Sequence, residues 1–390
     1  MHFSERTNWQ LHPNKLSRML ESLRKSGRQI LDLTASNPTC IGLEYPHKEI
    51  LSAFSSESLL HYEPNPHGVL SAREAIREYY LRKNISVDPS NIFLSAGTSE
   101  AYSLIFKLLC NRGENVLVPG PSYPLFEYLA DLNDVAVEYY YLQYENEWLI
   151  DIDSIGSAIS NKTKAIVLIN PHNPTGMFLR QNEYRGIAAL AKENNLALIV
   201  DEVFIDYAFD EDEKRIASIA EKADVLTFSL NGISKMIGLP QMKLAWIIVN
   251  GPSSLVGGAV ARLEIICDTF LSVNTPVQVA LPQLLDCGKI VRQKILDRIR
   301  LNYSELKTAT DNTPCSTLNA HGGWYGIVRV PGIKSDEDWA LELLEAKGVY
   351  LFPGYFFDFD KEGFLVVSLL VENSIFRKGV AEMVDLLSAN

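Results

Sequence analysis

From about residue 90 the chain alternates short apolar runs, rich in β-branched residues, with longer amphipathic stretches. Runs at 91–94, 115–118, 135–142, 165–169, 196–200, 225–229 and 244–249 read as strands, and the segments 99–110, 123–131 and 181–193 read as helices. Repeated strand–helix winding of this kind predicts an α/β fold, a mostly parallel sheet sandwiched by helices. The pattern changes toward the carboxyl end, where strands near 326–330 and 364–369 flank a helix at 336–346 and a last helix runs near 372–387. That part reads as a smaller α+β domain. Between the two, 251–306 reads as long helices interrupted at Pro276 and Pro282. The expected division is a large domain over 43–280 and a small domain made of 1–42 and 281–390. The amino-terminal segment, too short to fold alone, is expected to pack on the small domain or on a neighbouring subunit.

Composition fits that plan and narrows the function. A chain of 390 residues, 47% hydrophobic, can bury a core large enough for two domains. With 48 acidic against 36 basic residues its net charge is −12, which opposes binding to a polyanionic backbone, so nucleic acid is not an expected partner. The five cysteines are odd in number, dispersed and without a C-x-x-C pair, which fits a reducing cytoplasm. The first residues are charged and polar, and no run approaches the roughly 18 apolar residues of a membrane span. A soluble, cytoplasmic protein without a membrane partner is expected.

Three tracts carry the chemistry: 170–176 (Asn-Pro-His-Asn-Pro-Thr-Gly), 201–204 (Asp-Glu-Val-Phe), and Ser234 with Lys235. The first two follow apolar runs and so sit at carboxyl ends of strands, the edge where open α/β sheets hold ligands. Asp201 and Glu202 could equally cap a turn or meet an arginine. Lys235 lies past an apolar strand, where partial desolvation favours the neutral amine that attacks carbonyls; alone it could be a surface lysine. Asn173, held between Pro171 and Pro174, has a fixed direction or simply marks a tight turn. Gly97 and Thr98 open a helix, offering backbone N–H groups to a phosphate or only capping that helix. Tyr123 could stack on an aromatic ligand or fill the core. Tyr62, in a loop rich in Pro and Gly, suggests a ligand or partner contact.

Together these tracts resemble fold-type I pyridoxal-phosphate enzymes, specifically the class I and II aminotransferases, over nearly the whole length. The motifs occur in the family's order: 62–68, 72–76, 96–98, 121–124, 170–176, 201–203 and 234–235. The resemblance implies an aspartate-aminotransferase-like fold, pyridoxal 5'-phosphate as cofactor, and amino transfer between an amine or amino acid and a keto acid. It further implies that Lys235 holds the cofactor as an aldimine and moves the substrate proton, and that Asp201 pairs with the pyridine nitrogen. Asn173 is implied to bond the ring hydroxyl, Tyr123 to stack on the ring, and Gly97, Thr98 and Lys243 to hold the phosphate. Tyr62 is implied to reach the phosphate in the other subunit of a homodimer with sites at the interface.

Four positions depart from the family pattern. Gly232 replaces a serine three residues before the lysine, and Lys243 replaces an arginine eight residues after it, losing the two-pronged geometry. Phe204 replaces a tyrosine that bonds the ring oxygen. Val366 stands where the family has the arginine that grips the substrate α-carboxylate, and no arginine lies between Arg329 and Arg377. An atypical substrate is therefore expected, lacking a free α-carboxylate or having it gripped from elsewhere, with Lys15, Arg18 and Arg329 as candidates. The alternative function is a lyase, decarboxylase or synthase reaction with the same cofactor. A non-catalytic sensor is disfavoured, because Lys235, Asp201 and Asn173 are all present and no basic or helix-turn-helix segment precedes residue 60.

Overall fold

The structure, a computed structural model, describes residues 2–9, 11–122 and 125–389. Its strands in chain order are β1 (Leu31–Asp32), β2 (Ile92–Ser95), β3 (Asn115–Gly120), β4 (Ala136–Tyr144), β5 (Trp148–Ile150), β6 (Thr163–Ile169) and β7 (Ala197–Asp201). They continue with β8 (Thr227–Gly232), β9 (Ala245–Asn250), β10 (Ser316–Thr317), β11 (Tyr325–Arg329), β12 (Val349–Tyr350), β13 (Phe352–Pro353) and β14 (Phe364–Ser368).

Eight of these form one sheet in the order β2-β9-β8-β7-β6-β3-β4-β5. The five strands from β8 to β4 pair in parallel. Alternate residues feed two cores on opposite faces, as the pleat requires: Ile166, Leu168, Leu198 and Val200 on one side, Ala165, Val167, Ile199 and Phe228 on the other. Helices cover both, which is why these strands read as continuous apolar runs rather than alternating ones.

Two expectations need correction. The run 244–249 forms β9, but β9 lies antiparallel to both β8 and β2 instead of continuing the parallel winding. Only the short helix Ile233–Met236 and a 3-10 turn at Pro240–Met242 separate it from β8, so the chain turns back at the same edge without crossing a sheet face. Pro282 does not interrupt a helix either, since Thr275–Thr310 runs unbroken through it. A mid-helix proline costs about 3 kcal/mol, and this is outweighed because Ala280, Leu281, Leu284 and Leu285 bury against Ile76, Leu94 and Trp246, roughly 1.5–3 kcal/mol for each large side chain. Pro276 occupies the first turn, where its missing N–H is not needed.

The second sheet is small and antiparallel, ordered β10-β11-β14-β13. The later half of the long helix packs there, with Val291, Ile295, Ile299 and Leu306 joining Trp324, Val367 and Phe376. Of the two placements expected for the amino-terminal segment, this chain shows the first: Leu16, Leu20, Leu31 and Leu33 bury with Trp339, Leu343 and Met383, and β1 pairs with β12. Among the described residues no helix is long and apolar enough to cross a membrane, and all five cysteines are free thiols.

Candidate active site

The sheet order explains how segments distant in sequence meet. Because β2 is antiparallel to β9 and β9 to β8, strands β2, β8, β7, β6 and β3 all end at one edge, and β9 starts there. Gly97 and Thr98 follow β2 and open the helix Thr98–Leu109; Lys243 precedes β9; Lys235 follows β8; Asp201 ends β7; Asn173 follows β6. Neighbouring strands sit about 4.8 Å apart, so the two strand steps from β9 to β7 span roughly 10 Å, the length of a small aromatic ring carrying a phosphate arm. At one end a Cβ placed on Gly97 would lie 3.6 Å from Lys243 Nζ. Lys243 holds a left-handed conformation (φ 52°, ψ 58°) just before its strand.

The middle of the edge is tightly tied. Asn170 N–H donates to the Asp201 carbonyl at 2.8 Å, and Asn170 Oδ1 accepts Leu179 N–H at 3.0 Å. The loop closes at Gly176 (φ 68°), whose N–H donates to the His172 carbonyl. Any side chain there would strike the Gly322 carbonyl, 2.3 Å from the Cβ position. Asp201 Oδ1 accepts Val203 N–H at 3.1 Å, and the Tyr102 hydroxyl points to Oδ2 at 3.5 Å. Burial pushes the Asp201 carboxyl up to about 6 and lowers the Lys235 amine, the latter partly offset by the charge of Asp201. Lys235 Nζ lies over the Trp324 ring, 5.2 Å from its centroid, and the Tyr207 hydroxyl donates to the Lys235 carbonyl at 2.6 Å. Glu202 takes a structural part: fully buried and pushed up to about 7 by that burial, it accepts Ser218 Oγ–H at 2.6 Å and Ile219 N–H at 2.8 Å.

The departures have local reasons. A Cβ on Gly232 would come within 2.8 Å of Ala245 Cβ, so the close pairing of β8 and β9 leaves no room for serine. Phe204 is buried edge-on against Trp324, centroids 5.3 Å apart. Val366 is 0% exposed, paired with Ile327 and Phe352 within an apolar core. Of the substitute cations, Lys15 is bound to Glu337 at 3.0 Å and Arg329 packs over the rings of Tyr144 and Phe364.

Tyr62 stands apart, 68% exposed and lining a surface cleft with Phe270, Leu271 and Gln278. Tyr123 lies outside the described residues. Sequence reading missed Tyr102, Trp324 and His172. Only His172 carried a signal, being inside the 170–176 loop; burial holds it down at about 3, so it is a neutral ring bonded to Thr175 Oγ1 at 2.9 Å.

Pyridoxal phosphate can be tested against this edge by what the protein leaves unsatisfied. Asn173 Oδ1, Asn170 Nδ2 and Trp324 Nε1 are buried without hydrogen-bond partners among the described residues, although buried polar groups are otherwise paired. A carboxylate, an amine and a cation aligned along one edge, with unpaired buried polar atoms on the segments around it, fit a ring nitrogen, an aldehyde and a phosphate.

Comparison with known proteins agrees. Glutamate-pyruvate aminotransferase AlaA of Haemophilus influenzae is 29% identical over 376 residues, covering 94% of this chain and 92% of that protein. Tyrosine aminotransferase of Dictyostelium discoideum is 28% identical over 352 residues, covering 85% and 82%. Alanine aminotransferase from Pyrococcus furiosus has the same fold, with a TM-score of 0.90 over the full length of both chains at 23% identity. Residues 28–374 match the family profile for aminotransferase class I and II, and the chain therefore belongs to that family of pyridoxal-phosphate-dependent enzymes.

Proposed function

We propose that Lys235, Asp201, Asn173, Gly97, Thr98 and Lys243 hold pyridoxal phosphate at this edge, joined by Tyr123 against the ring, and that Lys235 is the catalytic base of amino transfer. The observation that carries the reading is the convergence of all the described members on one sheet edge. When bound, the cofactor supplies an aldehyde that captures amines and a ring that withdraws electrons from the substrate α-carbon. Gly97 and Thr98 present N–H groups at a helix start, and Lys243 adds a cation, for the phosphate. The Asp201 carboxylate, costly in its buried setting, is stabilised by a protonated ring nitrogen and keeps it protonated. Burial of Lys235 favours its neutral amine, which takes a proton from the substrate α-carbon and returns it elsewhere.

The substrate reading rests on Val366. With an aliphatic side chain sealed into the core there, a substrate α-carboxylate finds no guanidinium on β14, so the substrate lacks that carboxylate or has it gripped by another group. Tyr62 belongs to the partner's site in a homodimer, and five unpaired thiols support a cytoplasmic location. The division into a large domain over 43–280 and a small domain from 1–42 and 281–390 is supported by the two cores that share the long helix.

Two experiments test this. Borohydride reduction is expected to abolish a visible absorption band and label Lys235, whereas Lys235→Ala is expected to lose amino transfer by more than 1,000-fold, on the order of the loss of a covalent anchor and base together. Donors are then compared, starting with alanine, glutamate and tyrosine, the amino acids of the relatives' names, against amines and amino alcohols. Rapid turnover of ordinary amino acids, unaltered by Val366→Arg, would rule out the substrate reading while leaving the first result standing.

A further inference from the structure

Behind the lysine-bearing segment lies a cavity that amino transfer does not use. It has a volume of about 340 Å³ and sits between the helix Leu70–Leu81 and the long helix Thr275–Thr310, walled by Ala75, Pro282 and Leu285 with Met236 and Ile237 at its floor. Four cations line it, Arg82, Lys83, Lys289 and Arg292, against the carboxylates of Glu78 and Asp286, and Glu78 is already met by Arg77 at 2.9 Å. A third carboxylate, Asp206, keeps only 8% of its side chain exposed and is shared. Lys83 Nζ donates to one of its oxygens at 2.5 Å, and Arg292 and the Tyr79 hydroxyl donate to the other at 3.3 and 2.9 Å. Lys83 and Arg292 each leave 28% of the side chain exposed, so N–H donors that Asp206 does not engage remain open to a ligand. Asp286 at the rim is shared in the same way, by Lys289 at 2.5 Å and, through space, by Arg82. Positive charge is left over here, in a chain whose net charge is −12.

We propose that this cavity binds a small carboxylate with an apolar body and that its occupancy is felt at Lys235, an effector site that rests on the reading of Lys235 as the cofactor-bearing lysine. The lining selects the ligand. Two cations that share one carboxylate have donors to spare for a second, while Ala75, Pro282 and Leu285 offer an apolar contact that a hydrated inorganic anion does not use. The path to the lysine is short. Met236 and Ile237 follow Lys235 in the chain, and Asp206 precedes Tyr207, whose hydroxyl donates to the carbonyls of Lys235 and Met236 at 2.6 and 3.2 Å. A ligand that draws Lys83 and Arg292 from Asp206 therefore acts on both segments that fix the lysine, and binds the two arrangements unequally.

Benzoate is the probe, with benzamide as its uncharged counterpart, titrated calorimetrically into the holoenzyme. Benzoate is expected to bind roughly tenfold more tightly than benzamide, the scale of one charge-assisted contact. Ala75→Leu fills the cavity and leaves every ion pair in place, and is expected to weaken benzoate by roughly tenfold or more. Arg82→Glu, a change on the exposed rim, is expected to weaken benzoate and not benzamide. Saturating benzoate is expected to change the dissociation constant for pyridoxal phosphate by roughly fivefold or more, with the reciprocal change in benzoate binding that linkage requires, and Ala75→Leu is expected to remove this coupling. Benzoate binding that Ala75→Leu leaves unaltered would overturn the proposal. So would equal binding of benzoate and benzamide, or binding that leaves the affinity for pyridoxal phosphate unmoved. Labelling of Lys235 in the wild-type protein is read separately, so failure here is distinct from failure of the cofactor reading.

Discussion

Burial makes the Asp201 carboxylate a liability in the protein without cofactor. Its folded value, about 6, lies above the ordinary 3.8, so the folded state binds this proton more tightly than the unfolded chain does. Stability is consequently lost as pH rises through that window, by up to ~3 kcal/mol for about two pH units. In cofactor-free protein Asp201→Asn is expected to melt at higher temperature than wild type at pH 8, with the gap closing by pH 4. Thermal melts across that range check it; a gap independent of pH would mean that burial is not the cause. The same variant is expected to hold pyridoxal phosphate at least tenfold more weakly, because the ring nitrogen loses its anionic partner. The position of Lys235, Asp201 and Asn173 at or just beyond strand ends was legible in the sequence, because each follows an apolar run in a short tract of fixed spacing. Tyr102 and Trp324 were not, since one sits a turn inside a helix and the other before a strand of the second sheet, and only tertiary packing brings them to the edge.

The long helix Thr275–Thr310 supports the site from behind through a contact that reverses an ordinary rule. Gly288 is buried in its interior, where alanine would usually gain about 1 kcal/mol in helix propensity. Here the added Cβ would meet Ile237 Cβ, Cγ2 and Cδ1 at 2.6, 2.7 and 2.9 Å, and overpacking of that kind costs typically 1–3 kcal/mol. Gly288→Ala is expected to lower the melting temperature and, by pushing on Ile237 two residues from Lys235, to weaken cofactor retention. Calorimetry and dialysis measure the two effects, and a stabilised variant would show that the helix yields without cost. Most strands and helices of the large sheet were readable from periodicity, but the direction of β9 was not. A strand buried on both faces gives the same apolar run whether it is parallel or antiparallel, and only the short connection after β8 decides. The two-residue strands β1, β10, β12 and β13 carry too few residues to show a period.

At the scale of the molecule, the site described in one chain leaves Tyr62 without a role, and its surroundings are apolar in a way a lone chain does not need. Leu60 is 91% exposed, Tyr62 68% and Phe270 55%, and the last two line one cleft. Scattered exposed apolar residues are normal, whereas these two share one cleft and the exposed Leu60 is two residues from Tyr62, as an interface would require. The proposed homodimer would cover them and turn the Tyr62 loop toward a second site, and cofactor retention would then depend on association. Leu60→Asp combined with Phe270→Asp places charges that stay hydrated on a free surface and are costly in a buried one. This variant is expected to sediment as a monomer where the wild type sediments as a dimer. Both side chains lie outside the cores, so the cofactor-free variant is expected to stay folded as a monomer, with a melting temperature lowered only by the loss of association, while its affinity for pyridoxal phosphate falls by roughly tenfold or more for the loss of a phosphate contact. The two measurements together decide the point. A monomeric variant that binds the cofactor as tightly as wild type would detach Tyr62 from the site, and a variant still dimeric at micromolar concentration would put the interface elsewhere.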